Sequence, residues 1–198
     1  MNRIPPIPAL YLLCLPLLWN TLARLGHVWF GAGGDLRYLH HPWLTTLHLL
    51  PALLFLLLGP LQFLPRKRGA HRWRGRLFVL SGLVSGAGVL PLLRALPGLG
   101  GPLVHLGTVG LVLAFLASLV IGAVAARRRA FGLHRAAMMI ALALGLSVAS
   151  ARWFILAGMA MGMPLERVFV PGSVLGATVN GVVVAGLLWW PRRRARGA

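Results

Sequence analysis

Acidic residues are almost absent from this chain. Asp35 and Glu166 are the only two among 198 residues, against 20 Lys and Arg, which gives a formal net charge of +18. Both fall in predicted outer loops, so paired carboxylates for general acid–base catalysis are not expected. Cys14 is the only cysteine, which excludes disulfides within the chain and cysteine-rich metal clusters. Lys67 is the only lysine, and phosphate-binding loops and HExxH motifs are missing, so the sequence gives little support to Schiff-base chemistry, phosphoryl transfer or hydrolysis.

Long hydrophobic runs take the place of these motifs. Hydrophobic residues make up 58% of the chain and the mean hydropathy is +0.81, values typical of an integral membrane protein. Each run is about long enough to cross a hydrocarbon core of roughly 30 Å. Since the connections are short and contain no repeat, we predict one transmembrane domain over residues 1–198, an all-α bundle of six helices whose helices 2–5 form a four-helix core. The predicted helices cover approximately residues 9–30, 42–64, 77–93 with a possible earlier start near 70, 103–126, 134–161 and 170–190.

Basic residues are distributed unevenly between the loops. Fifteen of the twenty fall at the two termini and in the second and fourth loops, whereas the other loops hold only Arg37, Arg94 and Arg167. By the positive-inside rule, this asymmetry predicts a multi-pass protein of the bacterial inner (cell) membrane with both termini in the cytoplasm. It also explains the basicity without a nucleic-acid partner. The first hydrophobic run is interpreted as an uncleaved helix, because no persuasive signal-peptide cleavage site follows it. Tryptophans are expected near both interfaces, namely Trp29, Trp43 and Trp153 outside and Trp73, Trp189 and Trp190 inside.

Histidine is the one residue type left with strong potential for chemistry. His48, His71, His105 and His134 fall one each on, or at the start of, helices 2–5. In an antiparallel bundle, helices 2 and 4 run one way and helices 3 and 5 the other, so each pair can face across the bundle at equal depth. Two opposed imidazoles are the axial ligands of a b-type haem. The sequence therefore predicts two b haems, with His48 and His105 holding one iron on the outer side and His71 and His134 the other on the inner side.

The remaining histidines and several glycines and arginines fit around that hypothesis. His27, His40 and His41 are expected at the solvated outer surface. Glycines lie eleven residues after three of the proposed ligands, on nearly the same helical face, where they would leave room for the other macrocycle: Gly59, Gly82 and Gly145. Arginines near the proposed sites are candidate partners for haem propionates or another anion: Arg24 and Arg152 on the outer side, and Arg72, Arg76 and Arg135 on the inner side. Glycines also serve ordinary helix packing, and positive-inside topology alone accounts for a basic cluster.

The segment from His48 to Arg152 resembles a known family of bacterial membrane proteins. The resemblance is carried by His48 with Gly59-Pro60-Leu61-Gln62-Phe63, a basic turn, His71-Arg72-x-x-Gly75-Arg76, His134-Arg135 and Arg152. The family is known as domain of unknown function 2306, so it implies a membrane protein and no particular activity. The layout of four histidines on four consecutive helices also resembles cytochrome b561, in which helices 2 and 4 hold one haem and helices 3 and 5 the other. That resemblance implies the same two histidine pairs.

These observations lead to one preferred hypothesis and two alternatives. The preferred one is a two-haem electron carrier that takes electrons from a cytoplasmic or quinol donor to a periplasmic acceptor. If the protein is an enzyme, it is then a transmembrane oxidoreductase and neither a hydrolase nor a transferase. The alternatives are a haem-free membrane protein whose inner Arg/His cluster binds anionic lipid or a small acidic ligand, and an accessory or assembly subunit that docks a partner through its glycine-bearing helix faces.

Overall fold

The computed structural model describes residues 7–31, 40–62, 64, 68–95 and 101–196, with the backbone alone at residue 68 and from residue 189 onward. These residues form six helices: α1 (Ile7–Phe30), α2 (Pro42–Leu61), α3 (Arg68–Ala95), α4 (Gly101–Arg127), α5 (Phe131–Ala160) and α6 (Leu165–Arg196). Each helix is long and apolar enough to cross a membrane. The prediction of an all-α, six-helix, multi-pass membrane protein is confirmed.

Two helices differ most from their predicted bounds. The third helix begins at Arg68, which agrees with the earlier start near residue 70 and not with a start at 77. The basic segment through Arg76 is therefore helical, and His71 lies in the first turn of α3. The sixth helix runs from Leu165 to Arg196 and not from 170 to 190. In both cases hydropathy indicates where a helix enters the apolar phase, whereas the backbone hydrogen bonds that define the helix continue into the interface. The other boundaries differ from the prediction by three residues or fewer.

The helices pack in chain order. α2 packs on α3, α3 on α4 and α4 on α5, while α1 contacts both α2 and α5, and α6 packs on α5. The four-helix core of α2–α5 therefore places α2 diagonally opposite α4 and α3 diagonally opposite α5, with α1 at the junction of α2 and α5.

The bundle has two chemically different ends. The "basic end" carries the start of α3, the turn between α4 and α5, and the end of α6; we call the other the "far end". Near the basic end, the Tyr11 hydroxyl donates to the Leu57 carbonyl at 2.8 Å. At the far end, Trp29 Nε1 donates to Thr46 Oγ1 at 2.9 Å, and the Trp29 and Trp43 rings meet edge to face at 5.0 Å. Four basic residues counted in the topology prediction lie outside the described residues, namely Arg3, Arg37, Arg66 and Lys67, and so does Asp35.

Three phenylalanines fill the middle of the bundle. Phe55 of α2 stacks on Phe78 of α3 with ring centroids 4.3 Å apart, and it meets Phe115 of α4 edge to face at 5.3 Å. We call these three rings the "aromatic centre". Leu119 and Leu142 are buried in the same core cluster. The aromatic centre marks which face of each helix points inward and serves as the reference for depth.

Close contact holds α6 against α5. A Cβ at Gly176 would lie 2.5 Å from the Ala151 nitrogen and 2.6 Å from the Ser147 oxygen, and a Cβ at Gly172 would meet the Ile155 side chain. One turn further on, Asn180 Nδ2 donates to Ser150 Oγ at 2.9 Å. Small residues four apart thus bring the two backbones together, as is common between membrane helices.

Candidate functional site

A layer of polar side chains lies on the far-end side of the aromatic centre. Seven residues are two helical turns, about 10.5 Å along the axis and only about 20° round the helix. Each core helix has one residue at the aromatic centre: Phe55, Phe78, Phe115 and, on α5, Gly145, which faces Phe55. We count seven residues from each of these toward the far end and reach one residue on each core helix. These residues form what we call the "polar layer": His48, Ser85, Thr108 and Arg152.

His48 is the residue of this layer with the best defined contacts. Its Nδ1 lies 3.0 Å from the Ser85 carbonyl oxygen and 3.1 Å from Ser85 Oγ. Because a carbonyl only accepts, the proton is assigned to Nδ1, which donates to it. Thr45, one turn closer to the helix start, is completely buried. The α2–α3 contact thus fixes the imidazole and leaves Nε2 for a second partner.

Two arginines bring positive charge to the same part of the bundle. Arg24 of α1 lies within electrostatic range of His48, and Nε of Arg152 is buried. Both arginines make polar or electrostatic contacts. The only acidic residue among the described residues is Glu166, which is exposed in the first turn of α6. Within the described part of the chain, the far-end half of the core is therefore cationic.

The far-end half of α4 is the most loosely packed wall of this site. No residue from Gly101 to Ser118 is buried, and a Cβ at Gly107 or Gly110 would meet nothing within 4 Å. His105 is half-buried in this segment. It lies ten residues from Phe115, about 15 Å along the axis, whereas His48 lies seven residues from Phe55, about 10.5 Å. His105 is thus displaced outward by about one turn, and Thr108 is the α4 residue at the level of His48.

A second layer lies on the basic-end side of the centre. The same count of seven residues gives Gln62, His71, Gly122 and Met138. His71 is half-buried with its Nδ1 enclosed, and it makes a contact of its own. His134 lies one turn beyond Met138, and its Nδ1 donates to the Gly122 carbonyl at 2.8 Å. His134 lies eleven residues, about 16.5 Å, from Gly145, whereas His71 lies seven residues, about 10.5 Å, from Phe78. The two histidines of this pair thus also differ in depth by about one turn.

The glycines expected to face a macrocycle accommodate side chains of the chain itself. A Cβ at Gly145 would lie 2.5 Å from Phe55 Cε1, and one at Gly82 would lie 3.0 Å from Phe55 Cδ2. A Cβ at Gly59 would lie 2.8 Å from Leu142 Cδ1. Phe55 thus occupies a slot between α3 and α5 whose walls are glycine, and these three helix faces are turned inward.

The other predicted residues are placed as follows. Arg72, Arg76 and Arg135 are exposed at the basic end. His40 is exposed and His41 half-buried, as expected for the far-end surface. The expectation for His27 is wrong: it is 6% exposed, and neither ring nitrogen has a hydrogen-bond partner among the described residues. α1 continues to Phe30 and packs on α2 and α5. Its last turn buries His27, while Trp29 and Phe30 remain exposed.

Sequence reasoning missed the hydroxyl groups of the polar layer. Ser85 and Thr108 have no motif around them, and each stands in a run of apolar residues. The available signal was their spacing of seven residues from a phenylalanine on the same helix, which becomes informative only once those phenylalanines are known to meet.

Comparison with known proteins places this site within a family. A family described as "predicted membrane protein (DUF2306)" matches residues 45–189. The chain belongs to this family. The matched region covers nearly all of α2 and the whole of α3–α5, with the four histidines and Arg152, whereas Arg24 and His27 of α1 precede it. No curated protein and no solved structure matches the chain.

Proposed function

We propose that the protein carries electrons across the membrane on b-type haem. The observation that supports this most is the distribution of His48, His105, His71 and His134, one on each core helix and two on either side of the aromatic centre. His48 and His134 add a second feature, because each has its Nδ1 bonded to a backbone carbonyl of the neighbouring helix. Metal-ligating histidines commonly make this bond, which orients the ring and leaves Nε2 for the metal.

Two haems would each be held between diagonally opposite helices. His48 and His105 would bind one iron toward the far end, and His71 and His134 the other toward the basic end. Arg24 and Arg152 would hold propionates at the far-end site, and exposed Arg72, Arg76 and Arg135 could do so at the other. Bound haem supplies one-electron chemistry; the chain supplies ligands, charge and exclusion of water.

The spacing of the two levels suits transfer across the bilayer. His48 and His71 are each seven residues from the aromatic centre and lie about 21 Å apart along the bundle axis, whereas His105 and His134, one turn further out, lie farther apart. That separation spans much of a hydrocarbon core of roughly 30 Å. With the basic end in the cytoplasm, as its charge favours, electrons would pass from a cytoplasmic or quinol donor to a periplasmic acceptor across the bacterial inner membrane.

A haem-free role is the second candidate, and the packing of Phe55 favours it. The slot between Gly82 and Gly145 is already filled by this ring, so the core is well packed from its own side chains. In that case the cationic residues at either end would bind an anionic lipid or a small acidic ligand. Exposed arginines at the basic end are suitably placed for lipid phosphates.

An absorption spectrum separates the two candidates. Protein purified from haem-replete cells is expected to show a sharp reduced b-type spectrum, with about two haems per chain on the stoichiometry of bis-histidine iron. His48→Ala and His105→Ala should each remove the same spectral component and leave about one haem. His71→Ala and His134→Ala should remove the other, while exposed His40→Ala should change nothing. A colourless wild-type protein would rule out the electron-transfer proposal.

A further inference from the structure

An apolar groove opens between α5 and α6 in the half of the bundle nearer the basic end. Its volume is about 280 Å³. Only one of the lining residues is polar, and that residue, Ser147, donates its hydroxyl to the Leu144 carbonyl. An occupant of the groove therefore need not form a hydrogen bond with its walls. The other lining residues are aliphatic or glycine, and include Leu144, Gly181, Ala185 and Leu188.

The groove exists because α6 leaves α5 after a point of very close contact. At Gly176 the two backbones nearly touch, whereas a Cβ at Gly181, little more than one turn further along, would meet nothing within 4 Å. Small residues line α6 where the helices separate. Gly181 and Ala185 cannot bridge the gap to α5, so the space must be filled from outside the pair of helices.

The surroundings indicate what fills it. The groove lies within the apolar spans of α5 and α6, where the surrounding solvent is hydrocarbon. An empty groove would deprive its walls of dispersion contacts, and a lipid acyl chain can supply them without burying any polar group. A shallow cleft of this kind, apolar over its whole length, has the chemistry of a hydrocarbon site.

The basic end of the bundle, toward which the groove runs, indicates the kind of lipid. In the sequence of α6, Arg192 follows Leu188 by one helical turn. The same end of the bundle holds most of the basic residues of the chain. Basic positions between transmembrane helices on one side of a membrane bind anionic lipid head groups. We propose that this groove binds one acyl chain of an anionic phospholipid whose phosphate lies at the basic end. The inference is independent of the proposed haem function.

The groove residue Gly181 allows a matched pair of variants. Gly181→Leu would fill the groove without a clash, and Gly186→Leu places the same side chain on the same helix at an equally open position outside the lining. The full chain is reconstituted in vesicles of equimolar phosphatidylglycerol and phosphatidylcholine and re-extracted, and bound lipid is measured by native mass spectrometry. Wild type and Gly186→Leu should retain phosphatidylglycerol, and Gly181→Leu should retain about tenfold less or lower still.

The head-group part of the proposal has its own variants. Arg192→Gln should bring the ratio of bound phosphatidylglycerol to phosphatidylcholine toward one, whereas Arg167→Gln, exposed at the far end of the same helix, should leave the ratio at its wild-type value. Equal lipid retention by Gly181→Leu and Gly186→Leu would overturn the site, and equal binding of the two lipids by wild type would overturn its selectivity. If wild type and Gly186→Leu were dimeric and Gly181→Leu were monomeric, a second copy of the chain, and not lipid, would cover the groove. Haem content enters none of these measurements.

Discussion

Phe55 sits where two helices must both lack a side chain. Its ring stacks on Phe78 and lies in the slot between Gly82 and Gly145. Protein interiors are packed densely enough that one added methyl group is felt when its neighbours cannot move. Here the ring is held from both sides, so neither glycine position can accept a Cβ by a small shift of Phe55.

Gly145→Ala should therefore destabilise the protein. The added Cβ would lie 2.5 Å from Phe55 Cε1, and overpacking of this kind typically costs about 1–3 kcal/mol. Thermal unfolding in a single detergent measures the loss. Gly110→Ala is the control, because nothing lies within 4 Å of that position, and it should leave the midpoint unchanged or slightly higher. Equal midpoints for the two variants would mean that the ring can move aside.

Arg152 is the other residue whose position suggests a specific role. It lies on the inward face of α5, two turns from Gly145, and its Nε is buried. A charge at the centre of a membrane helix costs about 2.5–3.5 kcal/mol on insertion scales, and less near the interface. Because Arg152 lies on an inward face, contacts within the bundle are expected to offset the cost of placing its charge in the membrane.

Arg152→Leu should lower both accumulation in the membrane and, under the proposed function, the haem component assigned to the far-end site. Arg152→Lys should accumulate to a level between those of Arg152→Leu and wild type, because lysine keeps the positive charge but lacks the planar guanidinium group. Arg167→Leu, exposed on α6, serves as the control for removing one positive charge. If Arg152→Leu matched that control in protein level and spectrum, contact with lipid head groups would be a sufficient role for Arg152.

At the scale of the element, α6 depends on α5 for its position. Among the described residues of the core helices, only those of α5 make extensive contact with it. The contact centres on Gly172 and Gly176, with Asn180 hydrogen-bonded to Ser150. Backbone atoms line the Gly176 position, so no rotamer change can relieve a larger side chain there.

Gly176→Leu should consequently detach α6 from the bundle. We expect an increase in protease sensitivity at the α5–α6 turn and a loss of stability of about 1–3 kcal/mol or more, as for other overpacked sites. Limited proteolysis in detergent measures the first and thermal unfolding the second. Gly186→Leu introduces the same side chain on the same helix into open space and should behave as wild type. An intact proteolysis pattern for Gly176→Leu would contradict the close contact at this residue.

For the whole molecule, the main open property is its orientation in the membrane. The start of α3, the α4–α5 turn and the end of α6 share one end, and this end carries most of the basic residues. Reporter fusions at Gly69, Arg129 and the C-terminus should give cytoplasmic activity, and fusions at Arg94 and Glu166 periplasmic activity. Periplasmic activity from the C-terminal fusion would reverse the orientation and exchange the sides of the proposed donor and acceptor.

The sequence determined the class, the number of helices and most of their bounds. Runs of about 20 apolar residues, separated by short basic segments, leave few alternatives to a helical bundle in a bilayer, because only hydrogen-bonded helices or closed barrels satisfy the backbone there. The sequence also placed His48, His71, His105 and His134 on consecutive helices at the correct ends. It left the start of α3 open between about residue 70 and residue 77, since Arg72, Arg74 and Arg76 are compatible with either a loop or an interfacial helix.

Only the tertiary structure decided what each helix face meets. In a membrane the outside of the bundle is as apolar as its interior, so hydropathy carries little information about which side of a helix is buried. The contacts between Phe55, Phe78 and Phe115 define the inward faces, and from them follow the polar layer, the inward position of Arg152 with its buried Nε, and the one-turn offsets within the histidine pairs. The glycines were recognisable in the sequence as gaps. That Phe55 fills the gap between Gly82 and Gly145 depends on three helices meeting at one depth, which no local sequence pattern records.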